Sequence, residues 1–394
     1  MTCMRLSFSA PTATAGEVFV LIRDGAATTR SEVGRITGLS RTAVAARVAA
    51  LHARGLVLER EEGSSTGGRP PARLTFNADA GVVLSAALGR SRTRLGVCNL
   101  AGDVLAMADV DQEIGIGPDD LMPDVVKRLE VLLDDLGRGR NEVMGVGLSI
   151  PGTADRARGC SLSSPIMSGW DAIPLAPYFA ALTGAPVLLD NDANVIVLSE
   201  RREHREHFEN VLLIKASTGL GAGIVAGGVL QRGALGAAGE FGHTKTPAAV
   251  GVSCRCGDTG CLEAIAGGWA LVRNLQQQGR AVGHIRAVVD LAATGDPEAL
   301  RLVRESGRQI GEVLAGAVNL LNPEVLVVGG DMSKAYDTFV AGLRETVYGN
   351  ATALVTRELE IRPSTYGEES GVIGSAAMIL DHVLSARAVD ATLG

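Results

Sequence analysis

The chain has 394 residues, 46% of them hydrophobic and 21% charged, with a formal net charge of −7. That length buries a sizeable core in two or three domains, and 50 glycines without a repeat beside 14 prolines exclude collagen-like and disordered classes. The longest apolar runs, such as Val82–Leu88, fall far short of the roughly 18 residues of a membrane span, and Met1–Ala10 has no secretory pattern, so a soluble, cytoplasmic protein is expected.

In chain order, Val18–Ile22 reads as a short helix. Thr29-Arg30-Ser31-Glu32 has the form of a capping box, with Thr29 accepting from the Glu32 N–H and the Glu32 carboxylate reaching back. The helix it opens runs through Val33 and Ile36 and stops at Gly38. Ser40 caps the next, whose Val44, Val48 and Leu51 share one face, and Gly55 ends it. A three-residue turn between two capped helices is helix-turn-helix spacing, which makes Ser40, Arg41, Thr42 and Arg47 candidate DNA contacts. A plain helical hairpin with solvated arginines has the same pattern. Leu56–Arg60 and Ala72–Phe76 then read as paired strands around a tip containing Gly67-Gly68-Arg69-Pro70-Pro71. Such a hairpin is a wing, and Arg69 at its tip suits the narrow minor groove of A·T-rich double-stranded operator DNA. Charge agrees: residues 1–78 hold ten Arg, no Lys and six Asp and Glu, a basic head on an acidic body.

From residue 79 the pattern changes. Val82–Leu88, Arg94–Asn99 and Val104–Val110 read as strands, Leu121–Leu136 as an amphipathic helix, and Val143–Ile150 as a buried strand. The order recurs in Val211–Lys215, Ala222–Ala226, Val229–Arg232, a helix near Ser306–Leu321 and Val325–Val328. Tandem β-β-β-α-β units predict two α/β lobes, residues 79–190 and 191–394, with ligands in the cleft at the carboxyl ends of strands.

The strongest chemical signal is His243, Cys254, Cys256 and Cys261, spaced H-x10-C-x-C-x4-C. One imidazole and three thiolates form a closed tetrahedral set for structural zinc, with no position left for a catalytic water. Cys3, Cys98 and Cys160 read as ordinary core or surface residues. Glu240 and Glu263 flank the knuckle, and Asp190-Asn191-Asp192-Ala193-Asn194 clusters short acceptors and donors suited to vicinal hydroxyls. The same cluster also reads as a helix N-cap. Ser217-Thr218-Gly219-Leu220-Gly221-Ala222-Gly223 is either a phosphate cradle or a tight hairpin turn.

At these residues the chain resembles the ROK family of repressors, uncharacterised open reading frames and sugar kinases. The resemblance runs from the helix-turn-helix and the Ser65–Pro71 wing through Asn191–Asn194 and Gly239-Glu240-Phe241-Gly242-His243 to Cys254-Arg255-Cys256-Gly257 and Gly260-Cys261-Leu262-Glu263. It implies an α/β, two-lobed, actin-like (duplicated ribonuclease H-like) sugar-kinase-type body behind the winged head, in a homodimer or homotetramer. It also implies a sugar pocket of Asn191, Asp192, Glu240, His243 and Glu263, with Asp192 in the place of the kinases' base and zinc-bound His243 facing the sugar. Two departures stand out. Where the kinases have an Asp-x-Gly-Gly-Thr phosphate loop, this chain has Ala87-Leu88-Gly89-Arg90-Ser91, without the carboxylate that holds the metal of a nucleotide. Where an Asn precedes the Gly-Trp pair, here Gly169-Trp170, this chain has Ile166. The expectation is a sugar-responsive DNA-binding regulator of carbohydrate genes, a repressor rather than an activator, with no catalytic residue. The alternatives are an ATP-dependent sugar kinase with a fused head, and a DNA-binding protein whose pocket is vestigial and whose regulator is another protein.

Overall fold

In the computed structural model the described residues are 13–60, 72–89, 92–111, 117–162, 169–204 and 208–393. Contacts divide the chain into two compact units: the head with residues 99–103 and the chain from Leu380 onward, and the α/β body.

The head contains α1 (Ala15–Arg23), α2 (Arg30–Thr37), α3 (Arg41–Ala53) and a hairpin of β1 (Val57–Arg60) and β2 (Arg73–Phe76). A hydroxyl opens each helix. Thr14 and Thr29 form reciprocal capping boxes with Glu17 and Glu32, and Ser40 Oγ accepts from the Ala43 N–H. The Thr14 box makes α1 begin three residues before its first expected apolar position. Gly38 ends α2 in the left-handed region at φ 72°, where a side chain would be strained. Phe19, Val33, Val48 and Leu51 are fully buried and knit the three helices together. β1 and β2 pair antiparallel, Val57 opposite Phe76 and Arg60 opposite Arg73. The wing tip with Arg69 lies outside the described residues. The last helix, Ala386–Leu393, belongs to this unit and packs on α1, where the Gly16 N–H donates to Asp390 at 2.7 Å.

In the body, the first sheet is built from β3 (Val82–Leu88), β4 (Arg92–Asn99), β5 (Val104–Asp111) and β6 (Val143–Ile150). The helix α4 (Pro118–Asp135) connects β5 to β6, and a two-residue hairpin, β7 (Ala154–Asp155) and β8 (Cys160–Ser161), follows. The sheet closes with β9 (Val187–Asn191), which leads into α5 (Asp192–Glu203). The second sheet contains β10 (Val211–Ala216), β11 (Leu220–Ala226) and β12 (Val229–Leu230). After them come α6 (Glu263–Ala266), α7 (Gly268–Gln277), α8 (Ile285–Ala293), α9 (Pro297–Leu321), β13 (Val325–Gly329), α10 (Tyr336–Asn350), α11 (Ala353–Thr356), β14 (Glu360–Pro363) and α12 (Ser370–Val383).

Strand order is β5-β4-β3-β6-β9 in one sheet and β12-β11-β10-β13-β14 in the other, so each sheet places its third, second, first, fourth and fifth strands in that sequence. The duplication is therefore real, with one more strand per lobe than expected. In the second copy β10 pairs antiparallel with β11 and parallel with β13. Val325–Val328 are fully buried, as a central parallel strand requires. The helix expected near Ser306 starts nine residues earlier, because Asp296 accepts from the Ala299 N–H and Pro297 occupies the first helical position. α12 lies so close to the first sheet and to α5 that a Cβ on Gly147 would sit 2.1 Å from the Ser375 carbonyl oxygen, and one on Gly374 1.7 Å from that of Val195. Among the described residues no single helix is long and apolar enough to cross a membrane.

Candidate ligand cleft and metal site

A cleft of about 550 Å³ opens in the body at the carboxyl ends of β6, β9, β10 and β13, a volume suited to a small molecule. Asn191, Asp192, Glu240, His243 and Glu263 all line it.

Asn191 ends β9 and caps α5. Its Oδ1 accepts from the Ala193 and Asn194 N–H groups at 2.8 and 3.2 Å, and its Nδ2 donates to the Gly152 carbonyl at 2.9 Å. The cap and the cleft positions left as alternatives in the sequence are thus one and the same. Behind it, buried Asp190 accepts from Asn194 Nδ2 (2.9 Å) and Arg232 Nε (2.7 Å), which fixes the cluster in place. Asp192 opens α5, and its carboxylate pairs with Lys215 Nζ at the end of β10. Glu240 accepts from the Thr153 hydroxyl at 3.3 Å and lies 3.8 Å from His243 Nε2; burial raises its carboxyl above the ordinary range. Glu263 is 5% exposed and accepts three hydrogen bonds: from the Leu220 N–H at 2.9 Å, Trp269 Nε1 at 3.1 Å and Arg255 Nη2 at 3.2 Å.

The ligating atoms of His243, Cys254, Cys256 and Cys261 all lie within 4.8 Å of one another. Cys256 Sγ is 3.7 Å from Cys261 Sγ, and Cys254 Sγ is 3.8 Å from His243 Nδ1. A tetrahedron with metal–sulfur bonds of about 2.3 Å has edges of about 3.8 Å, so both donor set and spacing fit a tetrahedral metal such as zinc. Gly257 and Gly260, at φ 91° and 82°, make the tight turns that converge the sulfurs. Burial raises the Cys254 thiol to about 12, so a stable thiolate there calls for a cation. His243 turns Nδ1 to the sulfurs and Nε2 toward Glu240, so that it belongs to the metal cluster and, like Cys256, to the cleft. Cys98 and Cys160 are buried away from the cluster.

The far side of the cleft is lined by ion pairs. Ala87, near the end of β3, offers no carboxylate; Arg90 and Ser91 lie outside the described residues, as does Ile166. Arg94 donates to Asp109 and Glu368, Arg92 donates to Glu368 at 2.9 Å, and Lys334 pairs with Glu368. The Ser217–Gly221 turn joins β10 to β11, and its Ser217 hydroxyl donates to Asp331. Trp170 is 1% exposed and is a core residue. Sequence reasoning missed Lys215, Arg255, Trp269 and Glu368. Only Arg255, inside the C-x-C pair, had a local signal.

In the head, Arg41 and Thr42 stand exposed in the first turn of α3, while the Ser40 hydroxyl is spent on its cap. Arg47 turns inward and donates to the Ala13 and Ala43 carbonyls. It braces the head as well as lying on the candidate reading helix.

Comparison with known proteins agrees with this architecture. The chain is 27% identical over 382 residues to the xylose repressor of Caldicellulosiruptor bescii, covering 93% of this chain and 95% of that one. A solved ROK family transcriptional regulator, described as a homolog of the E. coli Mlc protein, matches 96% of this chain and 98% of its own with a TM-score of 0.78 at 25% identity. The ROK family glucokinase of Streptomyces griseus, solved with glucose and AMPPNP, matches 99% of its own length but 76% of this chain, with a TM-score of 0.63 at 27% identity. The ROK family profile matches residues 83–382, most of the chain, and the chain belongs to the ROK family.

Proposed function

We propose that this chain is a sugar-responsive transcriptional repressor of carbohydrate genes, acting in the cytoplasm as a homodimer or homotetramer. The observation that carries the reading is one of extent. The regulator-type relatives are matched along nearly the whole chain, whereas the glucokinase is matched along its own whole length and leaves over a stretch about the size of the head. Residues 1–78 would form the DNA-binding domain. Arg41 and Thr42 of α3 would meet base edges in the major groove, Ser40 and Arg47 would hold that helix in place beside the backbone, and Arg69 would enter an A·T-rich minor groove.

In the cleft, the carboxyl groups of Asp192, Glu240 and Glu263 would accept from sugar hydroxyls, and Asn191 keeps the start of α5 in position for them. A zinc ion on His243, Cys254, Cys256 and Cys261 would be structural, fixing the imidazole so that its second nitrogen remains a donor at the cleft. A ligand regulates only if it binds one arrangement of the lobes better than another; a coupling of about 1–3 kcal/mol changes DNA affinity roughly 5–150-fold.

The test is fluorescence anisotropy on DNA from the protein's own promoter region at fixed salt, titrated with sugars and sugar phosphates. A severalfold shift by one sugar is the expected result; tight DNA binding that no sugar moves would favour regulation by another protein.

A second reading, an ATP-dependent sugar kinase with a fused head, has Asp192 and the Gly-rich segment Ser217–Gly223 in its favour. Against it, Ala87 supplies no carboxylate for nucleotide-bound metal, and Lys215 already compensates the charge of Asp192. ADP release that requires both sugar and Asp192 would establish it.

A further inference from the structure

We propose that Arg255 is a positioning residue that links the cysteine knuckle to the sugar pocket through Glu263 and Trp269. The inference rests on the pocket reading above.

Arg255 stands between two cysteines of the metal cluster, yet its side chain leaves the knuckle. Its Nη2 lies 3.2 Å from Glu263 Oε1 and 3.4 Å from the Thr218 carbonyl oxygen. The guanidinium also sits 4.7 Å from the centroid of the Trp269 ring, and the Arg273 guanidinium lies at the same distance from that ring. Trp269 Nε1 donates to the same Glu263 oxygen that Arg255 approaches, and Trp269 packs against the buried cluster formed by Cys254, Cys261 and Ala264. Four segments therefore meet at one guanidinium: the knuckle, the Gly-rich turn, α6 through Glu263 and α7 through Trp269.

This junction decides what Glu263 can do. A carboxylate has about four acceptor sites, and three hydrogen bonds occupy Glu263, so about one remains for a ligand hydroxyl and its direction is set. Without Arg255 a nearly buried carboxylate loses its paired cation, and only the Leu220 N–H and Trp269 Nε1 still orient it. Because Arg255 is anchored on both sides by cysteines of the cluster, the state of the metal reaches Glu263 by this route, beside the separate contact of His243 with Glu240. Lysine has neither the planar fork nor the stacking surface to hold Glu263 and Trp269 together.

The chain has two tryptophans, so Trp170→Phe leaves Trp269 as the sole reporter. In the full chain with that change, metal content is measured by elemental analysis, Trp269 emission is followed during chelation, and D-xylose and D-glucose are titrated. Chelation is expected to shift Trp269 emission. Arg255→Met is expected to keep its metal, lose that shift and weaken the binding of whichever sugar binds by about tenfold or more, the usual effect of losing a charged hydrogen bond. Arg255→Lys should restore binding only in part. An Arg255→Met protein that loses its metal would show a role within the knuckle alone and overturn the proposal, as would one with unchanged sugar affinity and an unchanged shift. If neither sugar binds the parent but the shift depends on Arg255, the link stands and the reading of the pocket for these sugars fails. Should Trp170→Phe not fold, the same comparison is made in the otherwise unaltered chain, with Trp269→Phe identifying the metal-dependent part of the emission.

Discussion

Asp192, which the family resemblance puts in the place of the kinases' base, has its carboxylate paired with Lys215. A hydroxyl beside the pair could donate to the carboxylate and accept from the ammonium, which suits our reading of Asp192 as a sugar-binding residue. Asp192→Ala should weaken sugar binding by roughly tenfold or more, the loss of a charged hydrogen bond, while DNA affinity without sugar stays unchanged; calorimetry and anisotropy together check this. Cys256→Ser should lose metal and sugar response together, read by elemental analysis and the promoter titration. A variant that still responds normally would remove the link between knuckle and pocket. The metal set was legible in the sequence because its ligands lie within nineteen positions on one segment. Lys215 and Trp269 were not, since a Lys at a strand end and a Trp in a helix carry no mark of the partners that folding brings to them.

At the scale of elements, caps and stops were the most readable features. The Thr29 box, the Ser40 cap and Gly38 all stand where their residue types placed them, because each works through backbone groups three or four positions away. Ser40→Ala should lower the stability of the head by about 0.5–2 kcal/mol, measured by denaturant unfolding. Arg41→Ala should weaken DNA binding with sugar affinity intact, and Arg69→Ala should do the same through the wing; unchanged DNA affinity in either variant would remove that contact from the interface. Arg47→Ala should lower the stability of the head as well, since its guanidinium holds the Ala13 and Ala43 carbonyls. Less readable were β9 and β14: the apolar run of β9 is three residues before the polar Asp190 and Asn191, and β14 has one aliphatic residue, Ile361, between the charged Glu360 and Arg362. The first nine residues of α9 were missed because its amphipathic pattern is clearest only from Ser306.

Across the whole body, Glu368 gathers Arg92 and Arg94 of β4 and Lys334 of the segment after β13 at the turn into α12. Lys334 and then Arg94 hold its carboxyl at about 2, below the ordinary 4.5. A carboxyl depressed by folding stabilises the folded state above its unfolded value and loses that contribution as pH falls toward its folded value. Between about pH 5 and pH 2, then, the parent should lose thermal stability faster than Glu368→Gln, and melting curves across that range decide the matter. Equal slopes would mean that the network contributes nothing.

The sequence by itself determined the basic head with its capped helices, the duplicated order of strands and helices, and the donor set for a metal, because each depends on spacing along one segment. Only the tertiary structure decided which side chains share the cleft. It places Lys215 on Asp192, Arg255 and Trp269 on Glu263, and a cluster of ion pairs beside Ala87. Arg94 and Glu368 are 274 positions apart, and such meetings depend on how the sheets order their strands and on how closely glycines let α12 and α5 approach. Arg255 and Trp269 lie only 8 and 6 positions from Glu263, but the turns of the knuckle and of the α6–α7 junction, which no periodic pattern marks, decide that they converge on it.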